Sequence, residues 1–334
     1  MLDEPILRIE GLCAQFNSTE GAVKAVRDVS LSLRRGATLA LTGESGAGKT
    51  SVGLAVLKLL PYPGRITAGR ICFDGTDILT LSPEEMRRLR GSKIAMVFQD
   101  PATGLNPVLT VGAQVEEIIT AHLPVSKREA RKRSLDALAQ MGLPEPEEVA
   151  RSFPFHLSGG MAQRVMIAIA TALNPKILIA DEPTSALDVT VQAAILDDLR
   201  QLQQRSGTSI LLITHDLGVV AQMANEVAVM YAGSIIQAGP APTVFQRPRH
   251  PYTWALLRSR PRWDQDQARP LPAIRGSPPD PADLSEECPY LPRCPKATSV
   301  CRAEPAPALS EMEPHHFAAC YNPIYTGEDA AGPG

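Results

Sequence analysis

At 334 residues the chain has room for two domains, or for one large domain with an appendage. Its 21% charged and 44% hydrophobic residues are those of a soluble globular protein, and a net charge of −3 argues against nucleic acid or an anionic membrane surface as partner. No apolar run approaches the roughly 18 residues of a bilayer-spanning helix, and the acidic opening MLDEPILRIE lacks the basic and apolar regions of a secretory signal. The cytosolic setting this predicts keeps thiols reduced and disfavours disulfides among the six cysteines.

In chain order, apolar strand-like runs alternate with helical patterns. TLAL (38–41) reads as a strand, GESGAGKT (43–50) as a glycine-rich turn and SVGLAVLKLL (51–60) as a helix. EEMRRLRG (84–91) mixes acids and bases, as a solvated helix does, and residues 105–175 are rich in helical segments. Within them SKREARKR (126–133) is basic, but acidic EPEEV (145–149) follows, which points to a solvated helix face and not to nucleic acid. LSGGMAQRVMIAIATAL (157–173) is a capped apolar helix, KILIADE (176–182) a strand, VQAAILDDLRQLQQ (191–204) a helix and SILLITHD (209–216) a strand. This alternation predicts an α/β domain, and the unbroken apolar runs LALT, ILIA and ILLIT suit parallel strands covered on both faces. Eighteen of the 30 prolines lie from Pro240 onward, where periodicity gives way to a Pro/Cys-rich extension. The expected division is an α/β domain over 1–245, with a helical subdomain at about 105–175, and an extension over 246–334.

GESGAGKT fits the phosphate-loop pattern G-x-x-x-x-G-K-[ST] in the strand–turn–helix context that pattern requires. Gly43, Glu44, Ser45, Gly46, Ala47, Gly48, Lys49, Thr50 and Ser51 are therefore candidate nucleotide ligands, with Lys49 on the β- and γ-phosphates and the Thr50 hydroxyl on Mg²⁺. KILIADE ends a buried strand in Asp181 and Glu182, whose side chains strand geometry would send to opposite faces. Asp181 suits a Mg²⁺ shell, and Glu182 suits a base for the attacking water. Ser158, Gly159 and Gly160 open a second helix with an anion-binding N-terminus. One nucleotide does not need two such sites in one subunit; two subunits packed head to tail would use both.

With these motifs in place the chain resembles, over about residues 6–245, the nucleotide-binding subunit of an ABC transporter, a P-loop NTPase with a mixed-sheet core and a helical subdomain. The resemblance also rests on Gln99 in VFQDP, on SALD (185–188) and on His215 in ITHD. It implies that Gln99 links the metal site to membrane subunits and is a catalytic residue together with Glu182 and His215, that His215 contacts the γ-phosphate, and that Phe16 stacks on adenine. LSGGM stands where LSGGQ is commoner, a departure that leaves the serine and backbone donors in place. RPRHPYTWALLRSRP (247–261), the cysteine segment after it and HHFAAC (315–320) resemble the tails of ATP-binding subunits of the oligopeptide/dipeptide permease class. That class implies ATP-driven import of peptides, with nickel, glutathione or a sugar as alternative cargo. It implies a heterodimer with a second, related ATP-binding subunit, two membrane permease subunits, an extracytoplasmic substrate-binding protein, and a peripheral place on the cytoplasmic face of the inner or plasma membrane.

Cys288, Cys294, Cys301 and Cys320 are spaced C-x5-C-x6-C-x18-C, which is neither a zinc-ribbon pair nor a common ferredoxin pattern. Spacing leaves zinc, an iron–sulfur cluster and free thiols open; the permease-class resemblance implies a [4Fe–4S] cluster on these four. A reading of a different class, an iron–sulfur redox sensor with secondary ATPase activity, is outweighed by the breadth of the ATPase motifs. The adjacent His315 and His316 read as a surface pair.

Overall fold

The computed structural model describes residues 4–18, 21–185, 187–259 and 273–325. Two compact units are present: Met1–Leu7, Ser32–Thr38 and Cys72–Thr214 form one, and Arg8–Leu31, Leu39–Ile71 and His215–Gly334 form the other. Among the described residues the strands include β1 (Thr38–Thr42), β2 (Ile94–Val97), β3 (Ile177–Asp181), β4 (Ser209–Ile213), β5 (Glu226–Tyr231), β6 (Ser234–Pro240), β7 (Ser310–Glu313) and β8 (His316–Ala318).

In the first unit β2, β3 and β4 pair in parallel, with Ile94 opposite Ile177 and Ile177 opposite Ser209. Every residue of the three is buried, as their unbroken apolar sequence requires of strands covered on both faces. Helices Val111–His122, Lys127–Gln140, Pro146–Arg151 and Gly159–Thr171 account for the helix-rich stretch. Thr110, Ser126 and Ser158 cap three of them by accepting from N3 backbone amides. The basic run lies on Lys127–Gln140, which buries Ala130, Ser134, Ala137 and Leu138 and leaves its charges outward, Arg133 paired with Glu129 at 2.7 Å.

In the second unit β1 pairs in parallel with β5, and β5, β6, β8 and β7 continue antiparallel. Two of these strands come from the tail: Gln237 of β6 faces Ala318 of β8, and Phe317 of β8 faces Glu311 of β7. The tail also contributes Tyr252 and Tyr290 to a core with Ala40, Val227, Val229, Tyr231 and Ile236, against which Cys288 and Cys294 pack. An extension poor in apolar periodicity thus joins an existing core instead of building one.

His316 is not on the surface. It is fully buried in β8, its Nε2 2.8 Å from the Gln237 amide nitrogen, while Gln237 Oε1 accepts from the backbone amides of Arg249 (3.2 Å) and His250 (2.9 Å). With the amide oxygen so used, the amide N–H donates and His316 Nε2 accepts, which requires a neutral ring. Burial is the leading cause that lowers its pKa. Only His315 of the pair is exposed, in a left-handed turn conformation (φ 61°).

Candidate functional site

In the second unit the wholly buried β1 delivers the chain into the phosphate loop, and helix Lys49–Val56 leaves it. The loop's glycines are imposed by geometry. At Gly43 (φ 148°) a Cβ would stand 2.1 Å from the Met230 carbonyl oxygen, and at Gly48 (φ 97°) 2.1 Å from that of Ala25. The loop is closed internally by Ala47 N–H donating to Glu44 O (3.2 Å) and is tied to the turn after β5 by Gly233 N–H donating to Ala47 O (3.0 Å). Lys49 is buried, and its Nζ donates to the carbonyls of Gly43 (2.8 Å) and Glu44 (2.9 Å). Ser45, Gly46 and Thr50 are exposed and Ser51 half-buried, so the rim offers hydroxyls and amides around a fixed ammonium. Phe16 lies against Gly64, where a Cβ would come within 2.6 Å of its ring.

In the first unit Asp181 is buried as the last residue of β3. Glu182 has already left the strand: it is left-handed at φ 47°, its N–H donating to Ile213 O at 2.8 Å. Strand alternation therefore does not set its direction, as the sequence suggested; a strained turn does, at a cost of about 1–3 kcal/mol. Thr214 Oγ1 donates to the Glu182 carboxylate (3.2 Å), and Ser185 donates from N (3.1 Å) and Oγ (3.0 Å) to its carbonyl. Ser185 Oγ also lies 3.4 Å from the carbonyl of the exposed Gln99. A carboxylate held by a threonine hydroxyl at the end of a buried strand can accept a proton from water. Ser158 caps helix Gly159–Thr171 by accepting from Met161 N (3.3 Å), so residue 161 takes part through its backbone, and Gly160 packs so closely on Val191 that a Cβ would meet its Cγ1 at 2.6 Å. Of SALD, Ala186 lies outside the described residues. His215, in the second unit, is exposed beside Asp216, which caps helix Leu217–Met223.

The tail closes on the loop within the second unit. Arg293, its side chain 6% exposed, grips the Glu44 carboxylate with both terminal nitrogens (2.7 and 3.1 Å), and Tyr252 Oη accepts the Glu44 N–H (2.8 Å). The four tail cysteines line one small cavity with His250 and Tyr290. Burial raises the thiols of Cys288 and Cys294 and pushes Cys320 up to about 12. All four are free thiols, and among the described residues no group of three or more His, Cys, Asp or Glu stands ready-arranged around a metal ion.

The ABC transporter family profile matches residues 26–185, and that of the oligopeptide/dipeptide transporter C-terminal region matches 236–301. The dipeptide transport ATP-binding protein DppD of Escherichia coli K12 is 44% identical over 328 residues, 98% of this chain and 99% of that one. The chain is an ABC transporter ATP-binding protein of the oligopeptide/dipeptide class. The oligopeptide transport ATP-binding protein OppD of Bacillus subtilis is 49% identical over 82% of this subunit and 77% of its own length. Among solved structures, a dimeric ATP-binding cassette bound to ADP and phosphate superposes with a TM-score of 0.64 at 30% identity, covering 70% of this chain and 98% of that one. The cbiO1 component from Clostridium perfringens, part of the transporter complex cbiONQ, gives 0.63 at 31% identity, covering 73% and 92%. The subunit is thus an ABC ATPase coupled to transport, and among the described residues no helix is long and apolar enough to cross a membrane. In this ABC subunit Arg293 and Tyr252 meet Glu44 from 249 and 208 positions away and carry no local sequence signature.

Proposed function

We propose that the subunit hydrolyses MgATP to power import of dipeptides or oligopeptides through a membrane permease. The phosphate loop with its clamped Lys49 carries this reading, and relatives named for dipeptide and oligopeptide transport supply the cargo class. The amides and hydroxyls of Gly43–Ser51 with Lys49 hold the phosphates, and Phe16 stacks on adenine. The Thr50 hydroxyl, the buried Asp181 carboxylate and the Gln99 amide are the hard oxygen donors that Mg²⁺ prefers, and the ion supplies charge neutralisation on the phosphates. Glu182 takes a proton from the attacking water, Thr214 fixes its carboxylate, and His215 contacts the γ-phosphate. Ser158, Gly159 and Gly160 serve the nucleotide of a second, related ATP-binding subunit. The pair works beneath two membrane subunits fed by an extracytoplasmic binding protein, on the cytoplasmic face of the inner or plasma membrane. Residues 1–245 carry the ATPase, with its helical subdomain at about 105–175, and residues 246–334 form the extension. Glu182→Gln in the assembled transporter should cut turnover by about 10²–10⁴ and accumulate ATP-bound complex; normal turnover removes Glu182 as the base.

We also propose that Cys288, Cys294, Cys301 and Cys320 hold a [4Fe–4S] cluster. Their shared cavity supports this, since four thiolates are the donor set for such a centre and also for zinc. The group would staple a segment with little core of its own, displacing the thiol protons as it binds. Anaerobically purified protein should carry iron and absorb in the visible. Zinc in its place, or neither metal, overturns the proposal.

A further inference from the structure

The phosphate loop contains one acidic residue, Glu44, in a segment whose task is to receive a polyanion. Left alone, that carboxylate would oppose binding. It is not left alone. Arg293 pairs with it bidentately, from a guanidinium that also donates to Tyr231 Oη (3.1 Å) and to the Arg275 carbonyl (2.9 Å). The Glu44 backbone is held as well, its N–H donated to Tyr252 Oη. Tyr231, Tyr252 and Tyr290 are all buried and pack edge-on or tilted against one another with ring centroids 4.6–5.4 Å apart, so neither support can move without disturbing a packed aromatic core. Arg293 sits directly before Cys294, inside the cysteine segment.

We propose that Arg293 and Tyr252 are positioning residues for the phosphate loop: the tail neutralises and orients Glu44, and so sets the loop's affinity for ATP. The tail is then a component of the nucleotide site, acting through Glu44 without touching the phosphates. The inference rests on the phosphate loop being the ATP site. Two features separate this role from mere bracing. Neutralisation matters only while residue 44 is charged, so the effect of removing Arg293 must depend on the charge at 44. Coupling between loop and tail must also be reciprocal, so nucleotide must stabilise the tail segment.

The test measures binding of a fluorescent ATP analogue to the full chain, and ATP hydrolysis by the assembled transporter. Arg293→Ala should weaken binding and raise KM for ATP by roughly tenfold, with kcat within about twofold. The same substitution in a Glu44→Gln background should cost no more than about twofold further. In wild-type protein, hydrogen exchange of the backbone over Tyr290–Cys294 should slow when MgATP binds, a readout that needs no variant to fold. Equal penalties for Arg293→Ala with Glu or Gln at 44, or exchange over Tyr290–Cys294 unchanged by nucleotide that does bind, overturn the proposal. Wild-type protein that binds no ATP analogue at all would instead remove the reading of the loop beneath it.

Discussion

Gly160 stands at a position where two demands coincide, and substitution can separate them. In Gly160→Ala the new Cβ would lie 2.6 Å from Val191 Cγ1, so something must shift by roughly 0.8 Å to reach an ordinary contact of about 3.4 Å. Val191 cannot swing away easily. It is β-branched, and Asp188 fixes its turn by accepting from Thr190 N (3.1 Å) and Val191 N (3.0 Å). Overpacking of this kind costs about 1–3 kcal/mol, against a helix-propensity gain of at most about 1 kcal/mol for alanine over glycine. The variant should therefore be net destabilised by roughly 1–2 kcal/mol in urea denaturation followed by far-ultraviolet circular dichroism. Val191→Ala removes the obstructing methyls at a cost of under about 1 kcal/mol, because the side chain is only half-buried. Adding it to Gly160→Ala should restore stability to near that of Val191→Ala alone, a coupling of about 1–2 kcal/mol. ATP hydrolysis by the transporter should stay impaired in the stable double variant, because the proposed approach of a nucleotide to residue 160 still meets a methyl. Strictly additive destabilisation would refute the packing argument; full recovery of hydrolysis would refute the nucleotide role.

Lys49→Ala removes the ammonium that spans the Gly43 and Glu44 carbonyls, and ATP-driven uptake in reconstituted transporter should be lost; unchanged uptake counts against the phosphate loop. Stability should also fall in mild acid. Burial depresses His250 from 6.5 to about 3 and lowers His316, so between those limits the unfolded chain binds more protons than the folded one. The stabilisation from a neutral His250 is complete above pH 6.5 and is lost as pH falls toward 3, at about 1.4 kcal/mol per pH unit. Urea midpoints measured from pH 7.5 to 5 should decline, and a flat profile rules out the buried neutral rings.

The phosphate loop and the serine-capped helix at 158 were legible because their geometry is written in contiguous residues: glycines where a Cβ would strike a carbonyl, a serine where an amide needs an acceptor. The buried strands were legible from unbroken apolar runs. The backbone setting of Glu182 was not legible, since nothing in ADEP announces a left-handed glutamate. His316 was misplaced because its burial depends on Gln237, 79 residues earlier. The grip of Arg293 on Glu44 is of the same kind, a long-range pairing that one-dimensional pattern does not encode.

The hairpin of β7 and β8 has a further consequence. By pairing with β6 it occupies backbone donors and acceptors that would otherwise run along an open margin of the sheet. The new margin among the described residues, β7, is short, carries Glu311 and Glu313 and is followed by Pro314, features that discourage another chain from adding on. Cutting the chain after residue 245 would uncover the backbone of β6 at residues 236–238, and the product should self-associate, as size-exclusion chromatography would show. The extension thus covers a strand edge that would otherwise be open to pairing.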